Sequence, residues 1–345
     1  MSAFIRRVRV VDVVAGASGA AGLSAQAWTG EDPMSDEDFW RLADPYRREL
    51  LAHCYRLLGS FQDAEDLVQD TMLRAWQAFD SFEGRSSVRT WLYRIATNAC
   101  LNVLKSARRR VLPSGLGAGT ETAGALPRID TVSWLEPLPT AGDDPADLAA
   151  LRDRTRLAVV AAFQRLPARQ RAVLMLVEVA GFPVSEAAAT LGMTTTAARS
   201  ALQRARATLA ADQPVEDRVR PDPALDDEVL RRYLKAFEDA DTAGLAALLR
   251  SDVEYQMPPI AVWFHGRDAV LDHHTRRIFT SPRRALPTSA NGFPAIGSYT
   301  RRADGSFAGH GIHVLEPAGG TIGRIVVFLD ERLFPAFGLP GTLPG

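Results

Sequence analysis

The chain has 345 residues, enough for two or three domains with separate cores, which argues against a single compact domain. Its 40 basic and 41 acidic residues nearly cancel, so the net charge indicates no class of partner and only the distribution of charge can. The two cysteines, Cys54 and Cys100, lie in apolar helical patterns without a Cys-x-x-Cys motif. This argues against structural zinc and disulfides and fits a reducing cytoplasm.

Residues 1–34 are predicted to be a disordered extension or the product of an incorrectly chosen start. Three arginines precede an uncharged run at residues 13–30, which contains an Ala-Gln-Ala at 25–27, and this order is also that of a secretory signal. In that run Ala, Gly and Ser outnumber strongly apolar residues, which disfavours a membrane span. The sequence therefore predicts a cytoplasmic protein that does not associate with a membrane.

Residues 35–110 predict a first all-α domain. The segment DAEDLVQDTMLRAW places Ala64, Leu67 and Val68 on one helix face. The other face carries Asp66, Gln69, Asp70 and Leu73. The apolar face is expected to lie in the core. The acidic face is either a solvated surface or a binding surface for a partner.

The following block, FDSFEGRSSVRTWLYRIATNACLNVLKSARRR, is strongly basic, with seven basic and two acidic residues. Trp91 and Tyr93 lie among the cations, and Asn98 and Asn102 are one helical turn apart. Aromatic rings stack on unpaired bases, cations hold phosphates and amides read base edges. The block thus predicts a surface for single-stranded nucleic acid, with a place in the core as the alternative for Trp91.

Residues 111–150 predict a linker rich in Pro, Gly and Ala and without a sustained period. The linker has one basic and six acidic residues. Such a composition is not expected to bury enough apolar surface to order itself. Trp134, Leu135 and Pro137 offer an apolar anchor within it.

Residues 151–212 predict a second all-α domain that contains a helix-turn-helix. Within VSEAAATLGMTTTAARSALQRARATL, Gly192 interrupts the helical spacing and can end a helix, and the threonines after it can cap the next. Nine basic residues against four acidic ones favour duplex DNA over two packed helices without a DNA role. Away from its alanine stripe, the second helix presents base readers and phosphate-binding cations, namely Thr195, Thr196, Arg199, Ser200, Gln203 and Arg204.

These segments resemble a known family. DAEDLVQDTMLRAW and TWLYRIATNACLNVLKSARRR, followed by LPARQRAVLMLVEVAGFPVSEAAATLGMTTTAARSALQRARATL, are similar to regions 2 and 4 of the extracytoplasmic-function sigma factors of bacterial RNA polymerase. The resemblance implies that core polymerase docks on the acidic helix face. The residues implied in polymerase binding are Asp66, Gln69, Asp70 and Arg74.

The resemblance also implies two promoter contacts. The helix-turn-helix would read the −35 element, and the loop 82–88 would hold a base flipped out of the −10 element, at a cost of a few kcal/mol in stacking. In the family the linker crosses the polymerase cleft, and TVSWLEPLP resembles a motif of sigma factors with an extra C-terminal domain. The residues implied in −10 binding are Ser86, Ser87, Arg89, Trp91, Asn98, Arg108, Arg109 and Arg110.

A Pro-rich linker at residues 213–224 precedes an α+β domain at 225–345. Helical spacing at 226–249 gives way to strand-like runs rich in β-branched and aromatic residues, between Gly and Pro. DADTAGLAALLRSDVEYQMPP and WFHGRDAV resemble the SnoaL-like polyketide-cyclase family, whose conical fold encloses a pocket.

Histidines and carboxylates in this last domain raise the question of catalysis. They could supply an acid–base pair, but no metal-type spacing such as His-Glu-x-x-His occurs, and surface or core histidines are favoured. No catalytic residue, metal or cofactor is assigned. The residues concerned are His265, His273, His274, His310, His313, Asp252, Glu254 and Asp268.

The sequence as a whole predicts a multidomain protein with two all-α helical domains, the second with a helix-turn-helix, and a C-terminal α+β SnoaL-like cone. The predicted function is that of an initiation factor without enzyme activity, which binds core RNA polymerase and the −10 and −35 elements of promoter DNA. The C-terminal domain is expected to be regulatory, with an anti-sigma protein or a small ligand as its partner. Two alternatives are a one-component, ligand-responsive transcription regulator and a pocket enzyme with tethered DNA-binding domains.

Overall fold

The computed structural model describes residues 36–82, 84–120, 126–140, 155–211 and 223–345. These residues divide into two compact units. One unit contains the described residues up to 108 and those of 162–211, and the other contains 109–161 and 223–345 where described. The two predicted helical domains therefore belong to one unit. The predictions for residues 1–34 lie outside the described residues.

The first helical domain is built from helices α1–α4. Gly59 ends α2 in the left-handed conformation, with φ 72°, and donates its N–H to the Tyr55 carbonyl. The Ser60 and Ser87 hydroxyls accept hydrogen bonds from the N–H groups of Asp63 and Thr90 and so begin α3 and α4. The helices are α1 (Asp36–Ala43), α2 (Arg47–Leu58), α3 (Phe61–Gln77) and α4 (Val88–Leu104).

The second helical domain contains the predicted helix-turn-helix. Gly192, with φ 60°, makes the turn, and the Thr194 hydroxyl accepts a hydrogen bond from the Ala197 N–H at 3.2 Å to begin the last helix. Most of the alanines that the helical spacing placed inside are buried, but Ala197 is exposed because it lies in the first turn of the last helix. The buried ones are Ala187, Ala188, Ala198, Ala201 and Ala205. The helices are α5 (Leu157–Gln164), α6 (Ala168–Leu174, continued by a π-helical turn, Met175–Val179), α7 (Val184–Thr190) and α8 (Thr195–Ala211).

The C-terminal domain is the α+β unit expected from its resemblance. Its sheet has the strand order β2-β1-β6-β5-β4-β3, in which only the β1–β6 pair is parallel, and β7 is attached to β5. The strands are β1 (Leu249–Gln256), β2 (Trp263–His265), β3 (Arg283–Ala290), β4 (Phe293–Arg301), β5 (Phe307–Ala318), β6 (Thr321–Phe328) and β7 (Thr342–Leu343). The helices are α9 (Pro223–Glu238), α10 (Thr242–Leu248) and α11 (Arg267–His273), which continues into a π-helical turn, His274–Ile278.

The core of this domain lies between the helices and the sheet. Tyr233 and Phe237 of α9 contact His313 of β5, with ring centroids 6.3 and 5.1 Å apart. On the other face of the sheet, a 3-10 helix, Glu331–Phe337, brings the Phe334 ring to 5.2 Å from that of Tyr299. The sheet is therefore covered on both faces.

The described part of the linker is ordered, contrary to the expectation from its composition. Thr120 donates its N–H to the Trp263 carbonyl of the edge strand β2 at 2.8 Å, and Thr140 donates its N–H to the Ser289 carbonyl of the edge strand β3 at 3.1 Å. Leu135 is 1% exposed. The expectation failed because it treated the linker as an isolated chain, whereas the sheet supplies both hydrogen-bond partners and an apolar surface.

No helix in the described ranges has the length and apolar character needed to cross a membrane.

Candidate nucleic-acid interface

One side of α8 presents polar side chains opposite its buried alanines. Thr196, Arg199, Gln203 and Arg204 are exposed, and Thr195 and Ser200 are partly exposed, as the sequence predicted. Neither Arg199 nor Arg204 forms an ion pair with any described residue. Their guanidinium groups are therefore available to bind phosphate or the edge of guanine.

Arg206, on the same helix, has a different role. Its guanidinium pairs with Glu178, whose side chain is only 12% exposed and lies in the π-helical turn after α6. This contact holds α8 on α6. It leaves Arg206 less free than Arg199 or Arg204 to approach DNA.

Trp91, predicted to meet the opened strand, lies in the core of the first helical domain. It is 6% exposed, and its ring is 4.7 Å from that of Phe82 and 6.3 Å from that of Phe79. The structure thus supports the core alternative, because these neighbouring rings cover the face that would stack on a base. A stacking role would require the loop containing Phe82 to move.

Arg89 is bound by protein groups. Its Nε donates to both Glu49 carboxylate oxygens at 3.1 Å, and its guanidinium also donates to the Ala180 carbonyl at 2.9 Å. The guanidinium lies 4.9 Å from the ring centroids of Tyr93 and Phe182. Burial is the largest single effect and opposes the charge, but the hydrogen bond from Arg89 to Glu49 and the attraction of the Glu49 charge, with further contributions from Tyr93 and Tyr46, together raise the pKa of Arg89.

The other predicted −10 residues have mixed surroundings. Asn98 is exposed at the residue level, but its Nδ2 donates to the Thr190 carbonyl at 3.5 Å. Ser87 is the cap of α4, and Ser86 is partly exposed. Arg108 and Arg109 are exposed.

Arg110 was predicted to bind phosphate, but it contacts the linker instead. It donates to the Trp134 carbonyl at 2.9 Å and pairs with Glu136 at 3.3 Å. Its side chain is 21% exposed. The Trp134 carbonyl and the Glu136 carboxylate occupy this cation, so a phosphate would have to displace them.

The predicted polymerase-binding face of α3 is exposed. Asp66 and Gln69 are open to solvent, and Asp70 pairs with Arg74 at 2.8 Å. Two large apolar side chains are also exposed nearby: Leu73 at 48% and Trp76 at 38%. The sequence had placed Leu73 on this face but missed Trp76, although its i+3 spacing from Leu73 was a signal. Exposed apolar groups of this size are typical of a binding surface.

The histidines of the C-terminal domain are mostly structural. His313 accepts from the Tyr233 hydroxyl at 3.1 Å through Nδ1, and its Nε2 bonds the Ser298 hydroxyl at 3.0 Å. Burial lowers the pKa of His273 to about 3 and of His274 to about 4, so both are neutral. Of the predicted carboxylates, Asp252 pairs with Arg250 and Glu254 with Arg324. No group of three or more metal-ligating side chains forms a metal site in the described part of the chain.

Comparison with known proteins identifies the family. The sigma-70 region 2 model matches residues 42–110, and the sigma-70 region 4 model matches residues 156–209. The RNA polymerase sigma factor SigG of Mycobacterium tuberculosis is 45% identical over 326 residues, which is 91% of this chain and 88% of SigG. The chain belongs to the extracytoplasmic-function sigma factors.

Another sigma factor of this family gives the same result for the fold. SigJ of Mycobacterium tuberculosis is 32% identical over 212 residues, 61% of each chain. A crystal structure of SigJ matches with a TM-score of 0.56 at 24% identity and covers 86% of this chain and 98% of that chain. The combination of helical sigma domains with a C-terminal sheet domain is confirmed.

The two family models assign the described helices to regions of the sigma factor. Region 2 contains α2–α4, and region 4 contains α5–α8. A sigma factor binds core RNA polymerase and recognises promoter DNA, and these relatives support that function over a one-component regulator. The sequence did not predict that Arg89 and Asn98 of region 2 contact region 4.

Proposed function

We propose that this sigma factor binds core polymerase through the exposed face of α3, reads the −35 element with α8 and opens the −10 element with α4 and the loop before it. The observation that supports this most directly is the exposed side of α8, on which Arg199 and Arg204 have no carboxylate partner among the described residues. A helix with its apolar stripe buried and cations on its exposed side suits the major groove.

The polymerase contact is assigned to α3 because acidic and apolar groups are exposed together there. Asp66 and Asp70 supply negative charge, and Leu73 supplies an apolar anchor. In protein interfaces the apolar anchor contributes most of the affinity, while exposed charges mainly affect association rate and specificity. The complementary surface on polymerase is therefore expected to be apolar at its centre and basic around it.

The experiment is a competition for core polymerase against a labelled sigma factor. Asp66→Ala with Asp70→Ala, and separately Leu73→Ala, should weaken competition by about tenfold, equivalent to about 1.4 kcal/mol. The control is Asp227→Ala with Asp268→Ala, which removes the same charge from exposed positions of the C-terminal domain. Unaltered competition by both α3 variants would remove the assignment of this face.

We propose that the C-terminal domain regulates initiation and is not catalytic. The support is that its sheet binds the linker between regions 2 and 4 along both edge strands, at Thr120 and Thr140. A domain that holds this linker controls how far regions 2 and 4 can separate. Since bacterial polymerase works in the cytoplasm, we place the protein there. An anti-sigma protein or small ligand would act by changing the hold on the linker.

A further inference from the structure

The segment 273–303 of the C-terminal domain is strongly basic. It contains six arginines and no lysine, aspartate or glutamate, in a chain whose net charge is −1. The arginines occur as three adjacent pairs, one in the π-helical turn after α11, one at the start of β3 and one where β4 ends. They are Arg276, Arg277, Arg283, Arg284, Arg301 and Arg302. None of these residues belongs to the polymerase or promoter contacts proposed for the helical domains.

The fold brings these pairs together at one end of the sheet. β3 and β4 are antiparallel, and Arg283 lies opposite Thr300, so the second and third pairs are on neighbouring strands. Arg283 also donates through Nε to the Ile278 carbonyl at 3.0 Å, and its guanidinium donates to the Thr300 hydroxyl. Because Ile278 ends the turn that carries the first pair, Arg283 connects that turn to both strands.

Arg284 and Arg301 are neighbours on one face of the sheet. The Arg284 guanidinium lies 4.8 Å from the centroid of the Phe307 ring. Phe307 of β5 is in turn the cross-strand partner of Arg301. Since cross-strand partners project from the same face of a sheet, the two guanidinium groups belong to one surface.

Four of the six arginines are exposed and form no ion pair with a described residue. The acids that flank the segment are both engaged. Asp272 pairs with Arg276 at 2.5 Å, and Asp304 accepts from the Ser306 N–H at 2.9 Å and from its hydroxyl at 2.6 Å. We call the four exposed cations the arginine patch, which consists of Arg277, Arg284, Arg301 and Arg302.

The composition of the arginine patch favours the phosphate backbone of DNA over a protein surface as its partner. A guanidinium binds phosphate with two parallel hydrogen bonds, and such contacts hold a duplex without reading its sequence. A protein interface is instead centred on exposed apolar or aromatic anchors. The large exposed apolar side chains of the described residues are Leu73, Trp76 and Leu116, and all three lie outside residues 223–345.

We propose that the arginine patch binds the backbone of duplex DNA on the upstream side of the −35 element. This inference rests on the proposed reading of that element by α8. Only residues 212–222 separate α8 from α9, and a chain of this length spans at most about 40 Å, at about 3.6 Å per residue. One turn of duplex is about 34 Å long. The downstream side is taken by region 2 and core polymerase.

The tether explains why a few exposed cations suffice. Once α8 has bound, the C-terminal domain meets neighbouring duplex in an intramolecular step, at an effective concentration that raises affinity without any specific base contact. Each phosphate that an arginine neutralises contributes about 0.9 to the slope of log affinity against log salt concentration. The patch therefore adds affinity that depends on DNA length and on salt, but not on sequence.

The test compares two promoter fragments that bind the complex of core polymerase with the full chain. One fragment ends at the upstream edge of the −35 element, and the other continues upstream for about three turns, roughly 30 base pairs. The variant combines Arg277→Ala, Arg301→Ala and Arg302→Ala. Arg284 is retained because it packs on Phe307. Any upstream contact made by core polymerase itself is the same for the variant and the unmodified chain.

The variant should bind the long fragment about tenfold more weakly than the unmodified chain does, and the short fragment equally well. On the long fragment its salt slope should be smaller by about 2–3, since three phosphate contacts are lost. The matched control is Arg231→Ala, Arg232→Ala and Lys235→Ala, which removes the same charge from exposed positions of α9 and should leave the length effect intact.

Equal binding of the long fragment by the variant and the unmodified chain would overturn the proposal. So would a variant that competes less well for core polymerase but shows no dependence on fragment length, because the patch would then bind protein. Failure of the α8 assignment is seen separately. In that case Arg199→Ala with Arg204→Ala would bind the short fragment normally, whereas the effect of the patch is measured on the long one.

A cleavage probe locates the contact on the DNA. Ala303 is exposed and follows Arg302, so Ala303→Cys can carry an iron chelate that generates hydroxyl radicals. The native Cys54 and Cys100 are each 0% exposed and are shielded from the reagent. Strand cleavage should occur upstream of the −35 element and disappear when the three arginine substitutions are added. Cleavage that is absent, or unchanged by those substitutions, would contradict the proposal.

Discussion

Three arginines of α8 carry the same charge but have different surroundings. Arg199 and Arg204 are exposed and form no ion pair with a described residue, whereas Arg206 pairs with Glu178. The charge pattern of the sequence could show that the helix is basic. It could not separate these roles, since Glu178 lies 28 residues away from Arg206.

Arg199 and Arg204 give a prediction for DNA binding. Arg199→Ala and Arg204→Ala should each weaken binding to duplex containing the −35 element by about 1–3 kcal/mol if the residue reads a base. Titration of labelled duplex at fixed salt measures the change. Arg169→Ala removes the same charge from an exposed position on α6 and should have a smaller effect. Unchanged affinity and footprint in both α8 variants would refute the assignment.

Buried histidines make stability depend on pH. In unfolded protein a histidine gains its proton near pH 6.5, but burial lowers the pKa of His273 to about 3 and of His274 to about 4. Below pH 6.5 the unfolded state thus binds more protons than the folded state. Stability is fully present above this pH and is lost as the pH falls toward 4, by about 1.4 kcal/mol per pH unit for each histidine.

His273 allows this prediction to be tested at one residue. Its ring is stacked on Phe264 at 4.6 Å, and neither ring nitrogen has a hydrogen-bond partner in the described structure. His273→Phe should keep the packing at pH 7.5. Between pH 6.5 and 5 it should lose less stability than the unmodified chain, by about 1.4 kcal/mol per pH unit, which is the contribution of one proton. Urea unfolding at several pH values measures both quantities. His313→Phe, which loses the bond from Tyr233, should lower stability at pH 7.5. An unchanged pH slope in His273→Phe would contradict the account.

Among the described elements, the linker depends most on contacts with another part of the chain for its order. Asn291, 0% exposed and with φ 56°, accepts from the Leu138 N–H at 3.0 Å and donates to the Thr155 carbonyl at 2.7 Å. One side chain thereby binds the linker and the segment that leads into region 4. Arg156, which follows Thr155 in the sequence, pairs with the buried Glu316 carboxylate at 3.1 Å.

Removal of the Asn291 side chain should release the linker. Asn291→Gly keeps the left-handed backbone accessible and removes two hydrogen bonds, so the Leu138 N–H loses its partner at a cost of about 1–3 kcal/mol. Hydrogen exchange at Leu138 and Thr140 in the full chain should become faster. Ser289→Ala, which removes only the hydroxyl contact with Thr140, should have a weaker effect. Unchanged exchange in Asn291→Gly would show that other contacts hold the linker.

The elements differ in how well the sequence could predict them. The helix-turn-helix was predictable because Gly192 and the alanine stripe encode the turn and the buried face locally. The order of the linker was not, because its hydrogen-bond partners Trp263 and Ser289 belong to strands more than 140 residues further along the chain. Trp91 was ambiguous because a ring among cations suits both a core and a base-stacking surface.

At the scale of the whole molecule, the chain passes between the helical unit and the unit that contains the C-terminal domain. The chain leaves the helical unit after residue 108, runs through the linker on the C-terminal domain and returns to the helical unit at residue 162. A loosened linker would lengthen the free connection between regions 2 and 4.

The central claim is that this chain directs core polymerase to promoters. Its most direct test is run-off transcription with purified core polymerase, the full chain and fragments of the native genome that include upstream regions. The account predicts transcripts of defined length that are absent with core alone and are lost when Arg199→Ala and Arg204→Ala are combined. Transcription at the level of core alone on every fragment would contradict it.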